Sequence, residues 1–192
     1  MTIGVIVLAA GHARRFGSDK RMALMADGQS VLAATLARVC ASGLDVLLCL
    51  GAGEQALQEK LALDNVNCTL CPNSSQGMGA TLSDAMAQVP GSWSGVLVAL
   101  GDMPWIETRT YLEVAEQLQA CNICRPECDG RPGHPVGFGR RFFPELSALS
   151  GDQGGRDLLE RYSADVRVVA VADPGVLMDI DHPDDIKALP GR

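Results

Sequence analysis

The stretch Gly11-His12-Ala13-Arg14-Arg15-Phe16-Gly17-Ser18-Asp19-Lys20 follows directly on Leu8-Ala9-Ala10 and sets basic side chains between and after two glycines. Glycine lets backbone N–H groups approach an anion closely. Arg15 supplies a forked positive charge and Lys20 a point-like one, so the loop has the parts of a phosphate cradle. It matches neither common nucleotide fingerprint. No Lys-Ser or Lys-Thr pair follows its second glycine, and the three-glycine dinucleotide spacing is absent. The bland alternative is a glycine-containing surface loop. In either case the loop is expected to be exposed, so that replacing Arg15 or Lys20 should leave melting near normal.

Carboxylates with metal-binding character occur in two places. Asp102 follows the apolar run Val96-Leu97-Val98-Ala99-Leu100, which puts an acid at the carboxyl end of a buried strand, where open α/β sheets bind ligands. In Asp179-Ile180-Asp181-His182-Pro183 the alternation of an extended chain sets two carboxylates on one face. Magnesium takes hard oxygen ligands, commonly one or two carboxylates beside substrate phosphates, so one Asp from each segment makes a sensible pair. The competing reading is that Asp181 or His182 caps a helix begun at Pro183, with Asp179 solvated.

Two further loops carry polar groups. Asn73 to Leu82 runs through Gly77 and Met78 into a helical segment, whose N-terminal amides suit a polar or anionic ligand. Asp129 to Phe138 contains Gly133-His134-Pro135, where a histidine is fixed between two conformationally special residues. Arg131, Arg140 and Arg156 are candidate phosphate contacts, although loop arginines are usually just solvated.

The seven cysteines are odd in number, which argues against a closed disulfide framework and for a reducing, cytoplasmic compartment. Cys68-Thr-Leu-Cys71 and Cys121-Asn-Ile-Cys124 have a spacing that suggests zinc. Both lie in extended-looking segments, where residues three apart face opposite sides, so packed thiols are expected.

Positioning these groups requires a framework. Apolar runs near 3–9, 44–50, 66–71, 94–100 and 166–171 alternate with helix-period segments, among them Leu32, Leu36, Val39 and Leu82, Ala85, Met86. That pattern predicts a Rossmann-like three-layer α/β fold with a mostly parallel sheet. Asn122–Cys128 and Pro135–Gly139 read as two strands joined around Asp129-Gly130, a small antiparallel hairpin insertion. No repeat or linker divides residues 1–192, so one domain is expected.

The net charge of -7 has the wrong sign for coating nucleic acid or an anionic membrane. No apolar run approaches the ~20 residues that span a bilayer. Ile3 to Ala10 resembles the apolar core of a secretory signal, but no Lys or Arg precedes it, so a signal peptide is not expected.

The pattern Leu8-Ala9-Ala10-Gly11, Arg15, Gly17, Lys20 resembles the signature loop of nucleotidyltransferases, and within them the molybdenum cofactor cytidylyltransferases. The resemblance extends to the Asp102, Asp181, Gly77-Met78-x-x-Thr81-Leu82 and Gly133-His134-Pro135 segments. Two positions depart from it: Ala13 stands where the family commonly has Ser, and Phe16 where it has Met. The resemblance implies CMP transfer from CTP to molybdopterin, with Mg²⁺ held by Asp102 and Asp181. Arg15, Lys20 and Asp102 would be catalytic. Leu8, Ala9, Ala10, Gly11, Gly17, Lys20, Gly77, Met78, Thr81 and Leu82 would bind the nucleotide. Gly133, His134 and Pro135 would face the acceptor, and a molybdenum hydroxylase or its maturation factor would receive the product. The alternatives are a relative using GTP or another phosphorylated acceptor, a non-catalytic nucleotide-binding regulator, and a cysteine-ligated metal protein.

Overall fold

The structure is a computed structural model that describes residues 1–11, 19–61, 66–152 and 154–187. Its spine is a mixed sheet in the order β3-β2-β1-β4-β7-β5-β6, with β8 along the other side of β5. β1 (Ile3–Leu8), β2 (Asp45–Gly51), β3 (Val66–Cys71) and β4 (Gly95–Leu100) form its parallel half. β1 and β4 are covered on both faces, which is why they read as unbroken apolar runs.

The two helical layers follow from residue stripes. On one face α1 (Val31–Cys40) and α4 (Thr108–Gln117) bring Leu32, Leu36, Val39, Tyr111 and Val114 against Val5 and Val7. Ser30 starts α1 by accepting a hydrogen bond from Ala33 N at 3.3 Å. On the other face α3 (Met78–Met86), α5 (Phe143–Ser147) and α6 (Arg156–Arg161) pack Leu82, Met86, Leu146 and Leu158 over Ile6, Leu8 and Val98. The three-layer architecture is the one the sequence predicts. A short α2 (Gln55–Lys60) links β2 to β3. No helix among the described residues is long and apolar enough to cross a membrane.

The hairpin holds a more central place than an insertion would. β5 (Ile123–Cys128) turns at Asp129-Gly130, both with positive φ, into β6 (Arg131–Pro132). The return strand then breaks at Gly133-His134-Pro135 and resumes as β7 (Val136–Gly139), which lies between β4 and β5 and is antiparallel to both. The sequence places the second strand from Pro135 and misses β6. Two prolines with no N–H, at 132 and 135, account for the interrupted ladder. β8 (Val166–Ala170) runs parallel to β5.

The cysteines are all free thiols. Cys71 joins Cys49 in the α3-side core whereas Cys68 packs against the opposite core, so this pair straddles β3 as alternation requires.

Candidate active site

Asp102 sits just past the end of β4, where the turn Gly101-Asp102 leaves the sheet. Gly101 N bonds Leu8 O at 2.9 Å, which locks that turn to the end of β1. The segment carrying Asp179 and Asp181 is fixed beside it, because Ile180 is fully buried and its N–H donates to Asp102 O at 3.0 Å. With Ile180 turned inward, its two acidic neighbours turn outward.

Lys20 closes the arrangement. It opens a 3-10 turn, Lys20–Met22, capped by the Asp19 carboxylate, which accepts from Arg21 N at 3.1 Å. Its Nζ lies 2.6 Å from Asp102 Oδ2 and 3.1 Å from Asp181 Oδ1. Burial works against its charge, but the hydrogen bonds and charges of Asp102 and then Asp181 outweigh it and raise its pKa. The Lys20 side chain is only 15% exposed, which corrects the expectation of an exposed loop residue that could be replaced without loss of stability.

Asp181 does not cap a following helix. Instead the Asp185 carboxylate accepts from Asp181 N at 2.9 Å and His182 N at 2.6 Å, which leaves the Asp181 side chain for Lys20. Asp179 has its pKa raised, first by partial burial and then by the charges of Asp181 and Asp102, against its own backbone hydrogen bond and Lys20.

Arg21 escapes the sequence reading, yet it organises the loop. Its buried guanidinium bonds Ala9 O at the end of β1, both oxygens of Asp19 and both oxygens of Glu54. Glu54 in turn accepts from Gly51 N at 2.6 Å. Only the basic character of Lys20-Arg21 hints at this in the sequence, because the partners lie on separate loops.

Beside these groups lies a cavity of about 410 Å³. Leu8, Met78 and Leu82 line it from the expected nucleotide side, and Gly133 and His134 from the expected acceptor side. Gly133 is required by packing, since a Cβ there would fall 2.3 Å from Val176 O. At Gly77, φ is +122° and a Cβ would fall 2.1 Å from Asp152 Oδ1, so the entry to α3 presses on the loop before α6. The Thr81 hydroxyl donates to Gly77 O at 3.0 Å, and Thr81 is buried. Ala9, Ala10 and Pro135 are buried, and Gly11 is exposed. Burial depresses the pKa of His134, against hydrogen bonding to the Val98 backbone and the charges of Asp102 and Asp179. Its Nδ1 is buried without a partner.

Arg15 and Gly17, with the atypical Ala13 and Phe16, lie outside the described residues. Arg140 donates to the carbonyls of Gly91, at 2.9 Å, and Trp93, and does not line this cavity. Arg131 is exposed at the hairpin, and Arg156 pairs with Glu160 at 3.6 Å.

Residues 5–166 match the family model for the MobA-like NTP transferase domain. The chain belongs to this family. This MobA-like protein is therefore an enzyme of the nucleotidyltransferase type. It is 28% identical to the purine catabolism protein PucB of Bacillus subtilis (strain 168), over 95% of this chain and 93% of that one. The crystal structure of Rv0371c from Mycobacterium tuberculosis H37Rv aligns with a TM-score of 0.84 and 31% identity, covering 97% of this chain and 95% of that one. A structure of Rv0371c in complex with manganese aligns with a TM-score of 0.81 and 29% identity, over 97% and 96% of the two chains.

Proposed function

We propose that this MobA-like protein, acting as a single domain over residues 1–192, transfers CMP from CTP to the terminal phosphate of molybdopterin. The observation that carries this reading is the junction of Lys20 with Asp102 and Asp181 next to the cavity lined by His134. A phosphate oxygen of the acceptor bonds to the α-phosphorus of CTP as the bond to the α–β bridging oxygen breaks, and pyrophosphate departs. The attacking oxygen is already anionic, so no general base is required. What the protein must supply is alignment and positive charge.

Lys20 supplies that charge from a fixed position, and Arg15 is assigned a second share of it. Leu8 to Gly11, Gly17, Gly77, Met78, Thr81 and Leu82 are assigned to the nucleotide, and Gly133, His134 and Pro135 to the acceptor. The donor set fits a divalent cation: two hard carboxylates converge, and Asp102 Oδ1 is buried with no hydrogen-bond partner. Mg²⁺ held by Asp102 and Asp181 would neutralise phosphate charge there. The manganese complex of Rv0371c supports a divalent ion in this role. PucB is named for purine catabolism, which fits a purine-oxidising recipient such as a molybdenum hydroxylase, reached directly or through its maturation factor.

The test is pyrophosphate release with each of the four NTPs and Mg²⁺, with and without molybdopterin. Release with CTP that depends on molybdopterin is expected. Release with GTP alone among the four, or with no added acceptor, refutes the assignment.

A further inference from the structure

The cavity is lined by a charged residue, Arg125, that the proposed reaction does not use. Arg125 lies on β5 two residues from Ile123, so alternation turns it toward the α3 and α6 face, and it lines the cavity. Its Nε is buried and has no hydrogen-bond partner. Around it the walls are apolar: Val98, Val136 and Phe138 from the sheet, Leu82 from α3 and Leu159 from α6. Among the described residues, no carboxylate side chain lines this space.

Arg125 as a whole is half-buried, but a guanidinium N–H shut away from water with no acceptor is costly, and an anion entering the cavity would meet it. The neighbouring strand offers none, because the cavity-lining residues of β7 are Val136 and Phe138. The remaining polar side chains on the lining are Arg156, which also pairs with Glu160, and His134 with its unpartnered Nδ1. The cavity thus carries groups able to receive negative charge among walls able to receive a flat body.

We propose that this cavity is an acceptor subsite in which Arg125 binds an anionic group that the acceptor's flat ring system carries apart from the phosphate that reacts. The proposal rests on the reading of the chain as a transferase to a phosphorylated acceptor and specifies what else that acceptor must carry. Arg125 sets acceptor specificity. Lys20, Asp102 and Asp181, none of which lines this cavity, serve the transfer itself.

The test compares matched probes by fluorescence titration: pterin-6-carboxylate against 6-hydroxymethylpterin, and 2-naphthoate against 2-naphthalenemethanol. In the wild type the carboxylate of at least one pair binds about tenfold or more tightly than its neutral partner, the scale of one charge-assisted hydrogen bond. Arg125→Met removes that preference and Arg125→Lys keeps part of it, while CTP affinity with Mg²⁺ stays within about twofold as a check on the fold. Because Arg125 Nε has no protein partner to strand, Arg125→Met melts close to the wild type. A wild type without carboxylate preference in either pair, or a preference that survives Arg125→Met, overturns the subsite. Arg125-dependent binding without turnover of CTP and molybdopterin supports the subsite and refutes only the proposed acceptor. Turnover without Arg125-dependent binding does the reverse.

Discussion

Replacing Lys20 by Met keeps most of the aliphatic stem and deletes the charge, so its consequences follow from the two carboxylates left behind. Asp102, whose side chain is 18% exposed, loses the partner of Oδ2 while Oδ1 already has none. Leaving such a group unsatisfied costs about 1–3 kcal/mol. Asp181, at 54% exposed, is well screened, and the loss of its contact is worth under about 1 kcal/mol. The sum, about 1–4 kcal/mol, lowers the Tm of a chain of this size by roughly 2–16 °C. The Lys20 pKa is raised above 10.5, so its stabilisation is complete below that value and fades as pH climbs through the higher folded value. The gap between wild type and Lys20→Met should therefore be constant from neutral pH to about 9 and close above about 10.5. Scanning calorimetry in EDTA across this range is the assay, with pyrophosphate release measured in parallel and expected to fall about 10²-fold in kcat. A variant that melts within about 1 °C of wild type at pH 7.5 would refute the ion-pair reasoning. So would a gap that widens above pH 10.5, and undiminished turnover would remove Lys20 from the mechanism.

Arg21→Met removes the guanidinium that pairs with the largely buried Glu54 and should cost about 3–5 kcal/mol in urea unfolding. Adding Glu54→Leu should recover part of that loss, and strict additivity of the two changes would count against the clamp. Asp179→Asn removes a carboxylate whose pKa is raised in the fold, so in EDTA it should raise Tm at pH 7, with the difference vanishing below about 3.8, where folded and unfolded carboxyls are both protonated. Ala10→Gly removes a methyl from a buried position assigned to the nucleotide, which eases close approach of a larger base, and should narrow the ratio of kcat/KM for CTP over GTP by about 1–3 kcal/mol. An unchanged ratio would place base selection elsewhere.

The parallel half of the sheet is legible because β1 and β4 are buried on both faces, and the stripes of α1 and α3 record the two cores. The Asp129-Gly130 turn is legible for a local reason as well, since two consecutive positive φ values need residues of this kind. The place of β7 between β4 and β5 is not legible, because Gly137 and Gly139 give no pairing signal and the pairing itself is non-local. The site shows the same division. Lys20, Asp102 and Asp181 are identifiable as types, but Lys20 and Asp181 are separated by 161 positions, so no local spacing predicts that they touch. Arg21 and Arg125 go unnoticed because the meaning of each comes from what surrounds it in three dimensions: a ring of acceptors for one, hydrocarbon walls for the other.

The bonds that fix this region are made largely by main chain. Gly133 N donates to Pro126 O at 2.9 Å, His134 N to Val176 O at 3.0 Å, and Ile180 N to Asp102 O at 3.0 Å. Main-chain bonds do not depend on which side chains project from the same stretch of chain. The lining at positions 125 and 159 is thus free to be exchanged while the carboxylates and the lysine keep their places. A lineage, or an engineer, can retune which molecule is modified by side-chain substitution alone, with the transfer chemistry inherited unchanged. Gly133 is the position where that freedom stops, since any side chain there pushes against Val176 and so against the chain that leads to Asp181.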